Sequence, residues 1–222
     1  MKGAESTSAL LSSQEGLDSI QSHLILDGVA VVDQRHFNVT YRVDLSGGQR
    51  RLKEAILYVA LKGRPMKLFG RVKLNKIIWR ADFRSFYERR QPVTGRSYQK
   101  LKFGPALIEM VPVMQDLFRE NLLVEEPEQY GRKKEYRPVA KVEPVLRLFS
   151  PEDLDFLDES LRHYWDKTGT ESSDESHGIA WKSREIGDAI PYEAAYFEDK
   201  SLPKATLQKL ADHARKLNLH SA

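Results

Sequence analysis

Leu74-Asn75-Lys76-Ile77-Ile78-Trp79-Arg80-Ala81-Asp82-Phe83 is the stretch whose reading decides the fold. At ~100° per residue its pattern predicts a helix from Val72 to Tyr87. Leu74, Ile77, Ile78, Trp79, Ala81, Phe83 and Phe86 cover most of the circumference, so the helix belongs inside a bundle. Lys73, Lys76, Arg80 and Arg84 recur every three or four residues along one narrow stripe, the side left for water. Asn75 and Asp82, seven residues apart, interrupt the apolar arc on the buried side. Desolvating an unpaired carboxylate costs several kcal/mol, so Asp82 requires partners from elsewhere in the chain.

Around this helix, 222 residues with 41% hydrophobic content suffice for one large domain, or one domain with an appendage. The absence of cysteine excludes disulfide staples, thiolate zinc sites and thiol catalysis, and a reducing compartment is the simplest setting. No run approaches the ~18 apolar residues that span a bilayer. The N-terminus has one lysine and then polar Ser/Thr-rich sequence, unlike a signal peptide. These features predict a soluble cytoplasmic protein with no membrane partner. The net charge of +3 conceals an asymmetry: Arg71 to Lys102 holds ten Lys/Arg and two acids, whereas Pro151 to Asp199 holds fourteen acids and four Lys/Arg. The two regions either neutralise each other or leave a basic face for an anionic partner.

Working outward, residues 1–22 are polar and expected to be flexible. Leu24 to Val32 flanks Asp27-Gly28, a hairpin signal. Phe37 to Leu45 alternates Phe37, Val39, Tyr41, Val43 and Leu45 with polar residues, which predicts a half-buried strand. That strand either joins a sheet with a later hairpin or pairs with a second copy. Ser46-Gly47-Gly48 marks a turn, and Gln49 to Lys62 an amphipathic helix stopped at Gly63. The organising helix ends near Arg89-Arg90, before the turn Gln91-Pro92-Val93-Thr94-Gly95. Ser97 to Phe103 is extended, and Gly104-Pro105 is expected to open a helix through Asn121 that kinks at Pro112. Leu122 to Glu126 and Lys134 to Val139 predict a hairpin. Ser150-Pro151-Glu152-Asp153 is a helix start, carrying Leu154, Leu157 and Leu161 inward. Lys167 to Ser176 is expected to be a loop, His177 to Lys182 a short helix, and Ala189 to Tyr192 a structured loop. Lys204 to Leu217 predicts an amphipathic helix packed on the domain or on a partner. The expected organisation is a flexible segment 1–22, a β element 23–48, a helical domain 49–200 and a terminal helix 201–222. The fold class is α+β, mainly α-helical, with a small antiparallel β element.

In this order the motifs resemble a known family. Lys73 to Phe83 is similar to the K-L-x-K-L-L-Y-x-A-D opening of the Panacea, or SocA-like, antitoxin domain. Pro92-Val93-Thr94-Gly95 resembles the turn that follows it, and Tyr98 with Phe103-Gly104-Pro105 the aromatic and (Y/F)-G-P signature. Ser176-His177 with Trp181, then Ile190-Pro191-Tyr192, resembles the region near the family's end. The resemblance spans about Leu52 to Phe197. Lys-rich Gln99 to Lys102 and the segment Ala106-Leu107-Ile108 depart from the pattern at an expected surface. The resemblance implies a mainly helical antitoxin of a bacterial or phage toxin–antitoxin system that binds a cognate protein toxin directly. It also leaves room for an adaptor that hands its partner to a protease.

Three function classes are weighed against these residues. A toxin-facing surface is expected around Lys73, Lys76, Arg80, Arg84, Tyr98, Lys100 and Lys102. The same stripe, with Arg89, Arg90 and Arg96, could instead grip phosphate in a nucleic-acid regulator. His163, His177, Asp174 and Glu175 match no standard metal-ligand spacing. No nucleophile motif or phosphate loop occurs, so neither enzyme nor cofactor is expected. Asp82, Gly104, Pro105, His177, Trp181, Pro191 and Tyr192 are expected to hold the fold, with Asp82 and His177 near each other.

Overall fold

The computed structural model describes residues 39–130 and 133–196. The expectations for residues 1–38 and for Lys204 to Leu217 lie outside the described residues. Helix α1, Gly48–Lys62, buries Leu52, Ala55, Ile56 and Val59 as the periodicity predicts. Helix α2, Arg71–Arg89, is the axis of the domain. It packs against α1 and against the later segments Gly104–Leu107, Lys133–Ala140, Pro151–His163, Gly169–Glu175 and Tyr192–Tyr196. Leu74, Ile77, Ile78 and Ala81 are fully buried within the core. Arg90 ends the helix in the left-handed region, its N–H donating to the Phe86 carbonyl at 2.9 Å.

Strands β1, Tyr98–Leu101, and β2, Gly104–Leu107, form a tight hairpin turned at Lys102-Phe103. The structure corrects the helix expected from Gly104 onward. Gly104 has φ +91° and pairs opposite Leu101, so the chain reverses there. The helix α3 begins only at Met110 and runs to Arg119. Pro112 is therefore in its first turn, where a backbone N–H has no intrahelical acceptor, and no break results. Strands β3, Leu123–Tyr130, and β4, Lys133–Ala140, pair antiparallel as a hairpin, four residues longer at its tip than expected on the β3 side.

Helix α4, Pro151–His163, starts with a full capping box between Ser150 and Asp153. The loop expected over Lys167 to Ser176 is instead a helix, α5, Gly169–Glu175. Its cause is a second capping box: Thr168 Oγ1 accepts from the Glu171 N–H, and Glu171 accepts from the Thr168 N–H. A short α6, Ile179–Lys182, follows. The expected loop at Ala189 to Tyr192 contains strand β5, Ala189–Ile190, which pairs with β1, and then a 3₁₀ turn, Tyr192–Tyr196. Among the described residues the fold is α+β, mainly helical, with one small three-stranded antiparallel sheet and one two-stranded hairpin.

Residues 39–45 correct a further expectation. They are extended with alternating burial but lie in no sheet. Val43 donates to the Gly95 carbonyl, and the Thr40 carbonyl accepts from Tyr192. A side chain at Gly95 would start 2.1 Å from the Val43 carbonyl oxygen, so only glycine lets this segment cross so closely. The segment thus seals the 91–95 turn rather than extending the β3–β4 hairpin.

A buried arginine joins the helices at one end. Arg51 of α1 bonds the carbonyls of Val93 and Leu148 and the carboxylate of Asp153, which also receives Arg89. Arg51 and Asp153 are both almost fully buried, so each satisfies the other's charge.

Candidate functional site

The motif residues converge on two faces of α2. On the first, Asp82 is fully buried. One carboxylate oxygen accepts from the Thr94 N–H at 2.5 Å. The other accepts from the Thr94 hydroxyl and, at 2.7 Å, from the Tyr98 hydroxyl. Tyr192 stands 3.4 Å from the same oxygen but makes its shorter bond, 2.6 Å, to the Arg96 carbonyl. Burial pushes the Asp82 carboxyl up to about 6, against the pull of the Thr94 and tyrosine bonds. Phe83 meets Tyr98 edge-on and Tyr192 at a tilt, and Phe86 stacks on Tyr192, so the cradle is walled by aromatic rings. Asp82 therefore pins the 91–95 turn, β1 and the Ile190-Pro191-Tyr192 segment onto α2. His177, its expected neighbour, is occupied elsewhere.

On the second face, Asn75 donates to the Pro105 carbonyl at 2.8 Å and accepts from the Leu107 N–H at 3.1 Å. Its amide thus mimics a strand edge and holds β2 against α2. Lys76 donates to the same Pro105 carbonyl at 2.6 Å. Its ammonium is buried, and burial alone lowers it to about 7. Gly104 makes room for it: an added Cβ would lie 2.7 Å from the Lys76 amine and 2.2 Å from the Ser176 hydroxyl. Gly104→Ala, strained by its positive φ and by these contacts, is expected to cost about 1–3 kcal/mol. Chemical denaturation of the variant checks this.

His177 stacks face to face on Trp181, centroids 3.9 Å apart, and contacts the Ser173 hydroxyl at 3.5 Å. Burial, and then the neighbouring Lys76 charge, lower its pKa. Trp181 donates to the Leu101 carbonyl at 2.8 Å, and Lys100 lies over its ring and bonds the Arg184 carbonyl. The His177–Trp181 stack is thus the buttress of the β1–β2 turn.

The structure corrects the reading of the basic stripe as the wet side of the helix. Lys73 and Lys76 are buried. Lys73 donates to the carbonyls of Lys67 and Trp165, and burial lowers its pKa. Arg80 pairs with Glu159 at 3.2 Å and Arg84 with Glu88 at 2.5 Å. Arg89 is bound to Asp153, and Arg96 to Glu109 at 3.3 Å. Tyr98 is also buried, leaving Lys102 as the exposed charge of the expected partner surface, beside half-buried Lys100. Helical-wheel reasoning assigned water to these positions because they are charged. The long lysine stems instead thread to carbonyl groups supplied by distant segments.

The residues weighed as metal ligands do not converge either. Glu175 takes both His163 and Lys167, so an ammonium stands beside that carboxylate. Among the described residues no group of three or more His, Asp or Glu side chains is arranged to hold a metal ion. No described helix is long and apolar enough to cross a membrane. Arg51 and its pairing with Asp153 escaped the sequence reading, which placed Asp153 only at a helix start. Their one signal was an arginine next to Leu52 on the apolar face of α1.

The motif residues thus meet in a helical core pinned by the Asp82 and Asn75 bonds, with the Phe103-Gly104-Pro105 hairpin buttressed by His177-Trp181. Residues 74–182 match the family model of the antitoxin SocA-like, Panacea domain. No curated protein and no solved structure gives a match to the chain.

Proposed function

We propose that the protein is an antitoxin that neutralises a cognate toxin by direct binding, with no chemistry of its own, in the cytoplasm of a bacterium or in a phage-infected cell. The observation that carries this reading is the match of residues 74–182 to the antitoxin SocA-like, Panacea domain. Its chemistry is consistent with that role. Asp82 and Lys76, two motif residues with perturbed titration, spend their hydrogen bonds on Thr94, Tyr98 and Pro105 inside the fold. The toxin-facing surface in this reading includes the β1–β2 turn at Lys102-Phe103, with Lys100 behind it, and takes Arg80 and Arg84 only at its margin. A nucleic-acid regulator has less behind it, because Lys73 and Lys76 are buried and Arg80 and Arg84 are paired.

The test is co-expression with the product of the adjacent reading frame. That product alone is expected to arrest growth, and this chain is expected to restore growth and co-elute with it. Rescue without a stable complex would replace neutralisation by occlusion with delivery of the partner to a protease. A neighbour that is harmless and does not bind would overturn the antitoxin reading.

A further inference from the structure

One cavity has no occupant assigned above, although Lys73, Ser173 and His177 form part of its wall. The first turn of α2, the β1–β2 turn, the β3–β4 hairpin and α5 enclose a pocket of about 610 Å³. Ligand pockets commonly measure roughly 300–1,000 Å³. Its mouth carries Val72, Phe103 and Tyr136, from three different elements. All three are exposed apolar side chains, Phe103 at 62% and Tyr136 at 50%. Exposed large rings gathered by tertiary folding around one recess mark an interaction site more than scattered apolar residues do.

The charges around the recess decide what fits. The lining includes Arg71, Lys73 and Lys102 together with Glu125, Glu135 and Asp174, so it is formally neutral. Arg71 and Glu125 bond each other twice, at 2.5 and 2.6 Å. A side chain built at Gly70 would begin 3.4 Å from a Glu135 carboxylate oxygen. The positive end of α2 thus already faces a carboxylate, and an added anion gains little there. Strand addition is disfavoured too. Pro127 stands opposite Tyr136 and Pro138 opposite Glu125. Proline lacks the N–H of a hydrogen-bonded pair, so these pairs turn their backbone groups outward. Each outer edge of the hairpin therefore misses a donor. Recognition here falls to side chains.

We infer that this pocket receives a large uncharged side chain, aromatic or branched aliphatic, from the toxin, and that this group anchors the complex. The inference rests on the antitoxin reading. Charge balance selects the occupant: the recess offers apolar contact without net attraction for phosphate or for an acidic segment. Such buried anchors dominate the energetics of protein interfaces.

The test uses the full chain and the purified product of the adjacent reading frame. Phe103→Ala removes part of the rim, and Thr170→Trp fills the recess from an exposed position on α5. Ile186→Ala, 62% exposed and outside the pocket, is the control. Both pocket variants are expected to weaken binding about tenfold or more and to lose growth rescue, while the control stays within about twofold. Raising salt is expected to change the affinity by less than about threefold. Circular dichroism checks that the variants fold. Wild-type affinity in both pocket variants, or a steep loss with salt, would overturn the inference while leaving the antitoxin reading intact. A neighbour that fails to bind the unaltered chain would overturn both. A change in the chain's own oligomeric state on filling the pocket would also overturn it, by making a second copy the occupant.

Discussion

Replacing Lys76 by methionine is expected to stabilise the protein at pH 7, by about 2–4 kcal/mol. The amine is buried and has no carboxylate at hand, and burial lowers it from 10.5 to about 7. Between those two values the unfolded chain binds a proton that the folded chain does not. Stability therefore rises with pH across that window, and the cost of the buried charge is fully present below about pH 7. Methionine matches the volume of the lysine stem and removes the charge. The lost hydrogen bond leaves no orphan, because the Pro105 carbonyl still accepts from Asn75. Urea titrations of both proteins at pH 7 and pH 10 measure the effect. The variant should be the more stable at pH 7, and the difference should shrink at pH 10. Equal stabilities at pH 7 would show that the Lys76 amine is not desolvated.

The retention of so costly a lysine bears on what was legible in the sequence. The apolar arc of α2 fixes its place at the core of the described domain, and the interruption at Asn75 and Asp82 marks where other segments attach. Both follow from side-chain chemistry and a 3.6-residue period. The donors to Asp82 do not. Thr94 and Tyr98 lie 12 and 16 residues on, and they meet the carboxylate only because the 91–95 turn reverses the chain. His177 is chemically an equally good partner, and nothing local distinguishes it. The burial of Lys73 and Lys76 was hidden for a related reason. Their acceptors are the carbonyls of Lys67, Pro105 and Trp165, and a main-chain carbonyl carries no signature in the sequence. The pocket was least visible, since Val72, Phe103 and Tyr136 come from three separate elements. In contrast, α5 was legible and overlooked: Thr168 and Glu171 stand at the spacing of a capping box.

Asp82→Leu is expected to cost about 3–5 kcal/mol, enough to unfold a marginally stable domain, whereas Asp82→Asn is expected to cost less than about 1.5 kcal/mol. Leucine leaves the Thr94 N–H and the Thr94 and Tyr98 hydroxyls buried without their acceptor. Asparagine can satisfy all three. Its carbonyl accepts from the Thr94 N–H, and its amino group donates to the two hydroxyls, which rotate to accept. The pair of variants separates shape and hydrogen bonding from charge. The charge has its own signature. Because the folded Asp82 titrates near 6, above its usual 3.8, the folded chain holds a proton between those values that the unfolded chain releases. Stability from this group therefore falls as pH rises from about 4 to about 6. With Lys76 acting above pH 7, these two groups together place a shallow minimum in their joint contribution between about pH 6 and 7. Asp82→Asn should remove the acid limb and leave the alkaline one, and Lys76→Met should do the reverse. Thermal melts of the two variants from pH 4 to pH 10 test this directly. If neither limb changes in its own variant, the cradle and the buried amine are more open to water than their bonds imply, and helix α2 is held by its apolar arc alone.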